Sequence, residues 1–419
     1  MKIRIEFFLS ATLVFLIMLT SAESAGQTSE TWTASPSLIE KISASRSEIN
    51  YYEEKVPDYV LPDPLIMLNG QKVGNKKQWY AERRPELLEL FRKNVYGRVP
   101  STPYNISFSV INSDRNAMGG AATLKQIDID ITSEERSLVI HLTLFTPNMT
   151  DKKVPVFLLI DNRGPSNTDP FRKVISEFWP AEDVIARGYG IAVFYNADVD
   201  PDSHDGFQNG IHGVLDRERD DDSWGTIAAW AWGASRCMDY FETDSDVDPG
   251  KVAVVGHSRG GKTALWAGAE DERFAMVVSN ESGCGGAALA RRKYGETVAV
   301  INRAFPHWFC SNYKKWADNE DAMPVDMHML IALIAPRAVY VTSADEDLWA
   351  DPKGSYLSLY HAAPVYRLLG TKSRLPELMP PLDTPVISGK MAYHVRKGAH
   401  NMLLKDWNWF MDFGDRILK

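Results

Sequence analysis

The residues in this sequence with the clearest chemical potential are Gly256-His257-Ser258-Arg259-Gly260-Gly261-Lys262-Thr263. They follow the apolar run Lys251–Val255 directly. Gly256-x-Ser258-x-Gly260 fits a nucleophile elbow, a sharp strand-to-helix turn. Small flanking residues let such a turn close, and it lifts a serine hydroxyl to a helix N-terminus. The same stretch also satisfies a phosphate-binding loop, Gly256-x4-Gly261-Lys262-Thr263. Local context is strand then helix for both. Wider context favours the elbow, because about six strand-like runs precede it and no acid for Mg²⁺ stands out nearby.

A serine needs a base to take its proton and an acid to orient that base. For an elbow serine the chain order is Ser, acid, His, which leaves His307, His328, His361, His394 and His400 as candidates. His394 lies inside the alternating run Met391-Ala-Tyr-His-Val, where a core or surface role is expected. His361 lies between helical stretches. His400 lies just past that last strand, in a loop where sheets present catalytic groups, and is read as the base. Two acids compete: Glu281, at the end of the run Ala275–Ser279, and Asp347, in Ala344-Asp-Glu-Asp-Leu-Trp349. The Asp345–Asp347 cluster reads more easily as a wet loop.

The elements that must position these groups follow from periodicity. Alternating runs at Ile106–Val110, Ile127–Ile131 and Leu138–Leu144 read as antiparallel strands with one wet face. Continuous apolar runs at Val154–Ile160, Ile191–Tyr195, Val252–Val255, Ala275–Val278 and Ala338–Val341 read as strands buried on both faces. Helices are expected near 78–94 and 223–241. Residues 26–75 read as an extended wrap, with Pro57, Pro62 and Pro64 opposing helix. The order predicts a mixed, mostly parallel α/β sheet. One domain over 26–419 fits better than several, since no repeat or linker divides the chain.

Composition removes other classes. Of 419 residues, 46 are Lys or Arg and 55 Asp or Glu, so the net charge of −9 gives no basis for nucleic-acid or anionic-membrane binding. Lys2 and Arg4 precede an apolar run, Phe7–Leu19, and the small residues around Ser21–Ala25. This reads as a signal peptide over 1–25, so a periplasmic or secreted protein, free of the membrane after cleavage, is expected. The three cysteines, Cys237, Cys284 and Cys310, have no metal-site spacing. A Cys284–Cys310 disulfide and three free thiols are both open, and no metal or cofactor is expected.

Beyond the elbow, further segments align with one family: Trp266-Ala-Gly-Ala, Ser279-Asn-Glu-Ser-Gly-Cys-Gly-Gly-Ala, Gly295-Glu-Thr, Phe305-Pro-His-Trp-Phe, Asp347-x-Trp349 and His400. Together they resemble bacterial glucuronoyl esterases, carbohydrate esterase family fifteen, from about residue 50 to the C-terminus. The resemblance implies an α/β-hydrolase fold, a three-layer sandwich with helices on both faces of the sheet. It implies cleavage, through an acyl-enzyme, of esters joining lignin alcohols to 4-O-methyl-glucuronic acid on xylan. Ser258 would be the nucleophile and His400 the base, with Glu281 favoured as the acid and Asp347 as support or substitute. Arg259 would serve the oxyanion hole, and Lys262, Glu296 and Trp349 would contact the uronic acid. Fungal members join a Cys beside the serine to one beside the histidine. Here those positions hold His257 and Asn401, so packing is expected to hold the site's frame. A monomer acting on glucuronoxylan or lignin-carbohydrate esters is expected. Rival readings are an acetyl-xylan or other carbohydrate esterase with the same triad, a phosphate-binding-loop protein, and a non-catalytic sugar-binding module.

Overall fold

A computed structural model describes residues 31–150 and 152–419. The expected signal peptide lies outside the described residues. Thr31–Lys419 clusters as a single unit around a ten-stranded sheet. Its strands are β1 Asn105–Ala117, β2 Ala122–Ser133, β3 Arg136–Pro147, β4 Val154–Asp161, β5 Gly190–Tyr195, β6 Val247–His257, β7 Met276–Asn280, β8 Ala338–Ala344, β9 Val386–Ser388 and β10 Met391–Arg396. The order across the sheet is β1-β2-β3-β5-β4-β6-β7-β8-β10-β9. The β5, β4, β6, β7, β8 and β10 strands run parallel, while β1–β2–β3 and β9 are antiparallel additions. This is the α/β-hydrolase arrangement.

The apolar runs are continuous because both faces of the central strands are covered. In β4, Val154, Val156, Leu158 and Ile160 enter one core while Phe157 and Leu159 enter the other. In β6, Val252 and Val254 face the first core, and Ala253 and Val255 the second. Helices Thr226–Phe241, Arg259–Glu270, Met327–Ile334 and Pro352–Leu368 supply the first core through Trp230, Trp266, Leu330 and Leu359. Helix Leu404–Ile417 supplies the second through Trp407, Phe410 and Phe413. In β2 the alternation buries Ile127, Ile129 and Ile131 on the first core only.

One expectation changes and one open alternative is decided. The N-terminal segment is not wholly extended, for it contains the helix Pro36–Ser45. Pro36 stands in its first turn, where the missing N–H has no helical partner to lose. Leu38, Ile39 and Ile42 of that helix pack on a small third core of Ile49, Tyr51, Tyr294 and Leu348, beside Trp349. The cysteines are free and buried, so of the two open possibilities the structure has three thiols. No helix among the described residues is long and apolar enough to cross a membrane.

Candidate active site

The site is assembled where successive parallel strands end. Arg163 lies two residues past β4, Ser258 immediately past β6, Glu281 immediately past β7, Asp347 three past β8 and His400 four past β10. Carboxyl ends of a parallel sheet are where loops from distant parts of a chain converge.

Ser258 has φ 56° and ψ −122°, a left-handed conformation that an L-residue adopts only when its surroundings impose it. The flanking glycines are the reason the turn closes. A Cβ on Gly256 would stand 1.9 Å from the Gly260 carbonyl oxygen, and one on Gly261 3.0 Å from the Asn280 carbonyl oxygen. Ser258 thereby becomes the N-cap of helix Arg259–Glu270, its carbonyl accepting from the Gly261 and Lys262 N–H groups, while the N–H groups of Arg259 and Gly260 have no partner within the helix. The phosphate-loop reading does not survive this geometry. Lys262 is buried and its Nζ donates to the Ser282 carbonyl at 2.6 Å, while the Thr263 hydroxyl donates to the Arg259 carbonyl. A phosphate loop needs that hydroxyl for Mg²⁺, and here it is turned back onto its own helix.

His400 Nδ1 lies 2.6 Å from Asp347 Oδ2 and 3.1 Å from Glu281 Oε2, so both carboxylates reach the same ring nitrogen. The sequence favours Glu281, but the shorter contact is to Asp347. Nor is Asp347 in a wet loop: it is 6% exposed. Glu281 is shared, with Oε1 accepting from Arg396 at 2.6 Å and Oε2 from the Asn401 N–H at 2.9 Å. Burial works against charge on His400, but Asp347 and Glu281 outweigh it and raise the imidazole to about 9. Burial raises the Glu281 carboxyl to about 7, against the pull of His400 and Arg396 and with the repulsion of Asp347.

Ser258, Arg259, Lys262, Glu281, Glu296, Asp347, Trp349 and His400 all line one cavity of about 470 Å³. Every residue expected from the sequence is therefore brought together. Lys262 Nζ stands 3.7 Å from Glu296 Oε2, and burial raises the Glu296 carboxyl while Lys262 opposes that rise. Trp349 offers its ring at the cavity wall, and Phe305 and Trp308 stack on each other with centroids 3.7 Å apart.

Sequence reasoning missed several groups. Asp202, on the loop after the short helix Asn196–Val199 that follows β5, pairs with the Arg259 guanidinium and accepts from His307 Nε2 at 3.0 Å and Trp308 Nε1 at 2.7 Å. Burial opposes its charge, but those hydrogen bonds and Arg259 hold its carboxyl below the usual range. Arg259 also lies over the Trp308 ring, 4.9 Å from its centroid, and its buried Nε has no protein partner. Arg46, just past the N-terminal helix, covers Trp349 at 4.3 Å and joins the cavity wall. The frame beside Ser258 and His400 is not held by packing alone, since Arg163 makes hydrogen bonds to both His257 and Asn401. The position of Arg163 just beyond a strand end was the available signal.

His257, Glu281 and His400 each bring one potential metal-ligand atom within 4.8 Å of the others. They fit a metal poorly. Both ring nitrogens of His257 are engaged, Nδ1 by Asn280 Oδ1 at 2.5 Å and Nε2 by Arg163. Glu281 is held by Arg396 and Asn401 as well.

With the geometry in hand, comparison with known proteins is decisive. A family profile described as "Glucuronyl esterase, fungi" matches residues 129–370. This chain belongs to the glucuronoyl esterase family. Its relatives include carbohydrate esterase MZ0003 from an unknown prokaryotic organism, 42% identical over 93% of this chain and 95% of the relative. A 4-O-methyl-glucuronoyl methylesterase 1 of Wolfiporia cocos is 30% identical over 74% of this chain and 72% of its own. Among solved structures, the glucuronoyl esterase of Solibacter usitatus superposes with TM-score 0.82 at 39% identity, covering 87% of this chain and all of that one.

Proposed function

We propose that this esterase hydrolyses esters of 4-O-methyl-glucuronic acid, including those joining lignin alcohols to xylan, through an acyl-enzyme on Ser258. The observation that carries the reading is a cavity lined by both Ser258 and His400, with His400 Nδ1 held by carboxylates. His400 Nε2 removes the serine proton as Oγ attacks the ester carbonyl. Asp347, assisted by Glu281, stabilises the imidazolium that results. The developing oxyanion is met by Arg259 and the N-terminal end of its helix. One such donor is worth about 3–4 kcal/mol of barrier. The imidazolium then protonates the departing alcohol, and His400 next activates the water that releases the uronic acid.

Recognition of the sugar falls to Lys262, Glu296 and Trp349. A Lys–Glu pair reads hydroxyl groups by donating and accepting, and an indole stacks on a pyranose face. Lys2, Arg4 and the run Phe7–Leu19 support export to the periplasm or medium, with the mature enzyme acting as a monomer. The testing experiment compares turnover of benzyl glucuronate with release of acetate from acetylated xylan. Efficient cleavage of the glucuronate alone is expected; cleavage of the acetate alone would reassign the substrate class. Ser258→Ala should abolish the activity.

A further inference from the structure

Arg163 belongs to none of the steps above, yet its guanidinium spans the site. Nη1 donates to Asn401 Oδ1 at 2.6 Å, and Nη2 lies 3.1 Å from His257 Nε2. Asn401 follows the base and His257 precedes the nucleophile. The guanidinium lies over the Phe178 ring, 4.4 Å from its centroid, which limits its alternatives. An arginine only donates, so His257 Nε2 accepts and the His257 proton resides on Nδ1. That N–H donates to Asn280 Oδ1 at 2.5 Å, and the Asn280 amide donates to Thr342 Oγ1 at 2.6 Å. The ring of His257 lies 4.5 Å from that of His400.

The His400 loop has a second tether on its other side. Arg396 donates to the carbonyls of Ala399 and Asn401 at 2.9 and 2.6 Å, tying the loop to Glu281. Arg163 supplies the tie toward Ser258. We infer that Arg163 is a positioning residue that clamps the residue before the nucleophile to the residue after the base. It fixes the spacing of Ser258 and His400 and keeps His257 a neutral neighbour of the imidazolium formed in each cycle. Burial, the His400 charge and Arg163 itself hold His257 well below an ordinary histidine value. The inference rests on the serine-esterase reading of Ser258 and His400.

The test uses the full chain and benzyl glucuronate, with Arg163→Met, Arg163→Lys, Asn401→Ala and the double variant Arg163→Met/Asn401→Ala. Misplacing reacting groups by about 1 Å can lower a rate about 100-fold, so each single variant should lose about 10- to 100-fold in kcat. KM should stay within about threefold, since the sugar contacts are untouched. Lysine keeps the charge but cannot reach both partners, so it should not rescue. The double variant should lose clearly less than the product of the singles, because both changes cut the Arg163–Asn401 link, while Arg163 also holds His257 and Asn401 Oδ1 also accepts from the Met402 N–H. Should Arg163→Met fail to fold, Asn401→Ala carries the test alone through the same fall in kcat. The clamp is overturned by an Asn401→Ala kcat within about twofold of the parent, by losses that multiply in the double variant, or by full rescue with lysine. Ser258→Ala separates the two levels. If it retains turnover, the serine-esterase reading fails; if it is inactive while the Arg163 and Asn401 variants are fully active, only the clamp fails.

Discussion

Two carboxylates on one imidazole nitrogen make an unusual expectation: neither should be indispensable alone. Consider Asp347→Asn. In enzymes with a single triad acid, the amide lowers kcat about 10⁴-fold, because the tautomer is wrong and the imidazolium loses its counter-charge. Here Glu281 Oε2 remains 3.1 Å from His400 Nδ1. The repulsion of Asp347 is one of the influences that raise the Glu281 carboxyl to about 7, so removing Asp347 makes Glu281 ionise more readily. The surviving acid strengthens as its rival leaves. At about 3 Å and an effective dielectric near 20, a full charge pair is worth at most about 5.5 kcal/mol. Retaining most of it leaves an expected loss of about 1.4–2.7 kcal/mol, or about 10- to 100-fold in kcat/KM. Asp347→Asn/Glu281→Gln should fall about 10⁴-fold, far below either single, because no carboxylate is then left on His400 Nδ1. The assay is steady-state turnover of benzyl glucuronate, with melting temperatures measured alongside. Glu281→Gln removes the buried charge that faces Arg396 at 2.6 Å and should lower Tm, whereas Asp347→Asn should not. A full 10⁴-fold loss from Asp347→Asn alone, or a double variant no worse than either single, would refute the reasoning.

The remaining expectations are simpler. The kcat/KM profile should rise with pH along a limb centred well above an ordinary imidazole, toward the value of about 9 for His400. An anion beside imidazolium holds its proton, so Asp347→Asn should move that limb to lower pH; an unmoved or raised limb would contradict the pairing. Gly256→Ala would drive a methyl to 1.9 Å from the Gly260 carbonyl oxygen, so it should lose more than about 4 kcal/mol of stability or fail to fold. Thermal or urea unfolding checks this, and a loss under about 1 kcal/mol would mean the elbow is less crowded than described.

Much of this architecture was legible because period-two and unbroken apolar runs record how many faces of a strand are covered. The run Val154–Ile160 announced burial on both sides, and β4 divides its side chains between two cores. Ser258 was legible from its glycines and His400 from chain order. The environment of Asp347 was not. Asp345-Glu-Asp reads as a solvated turn, whereas Asp347 is buried against His400 and its neighbour Leu348 enters the core of Ile49, Tyr51 and Tyr294. Helix Pro36–Ser45, which packs on that core, was obscured by the prolines that follow at 57, 62 and 64. Asp202 was hidden for a related reason: Asp-Ser-His-Asp-Gly has the composition of a loop tip, and its partners lie 57 and about 105 positions along the chain.

The base reaches its place only through the final strand, and that strand is latched by the last helix. Asp406 of Leu404–Ile417 receives His394 Nε2 and Arg396 Nε from β10, and Trp407, Phe410 and Phe413 seal the contact. A chain clipped before this helix would keep His400 but lose the Asp406 latch on β10, so the imidazole would no longer be held opposite the serine and activity would fall although every catalytic residue remained.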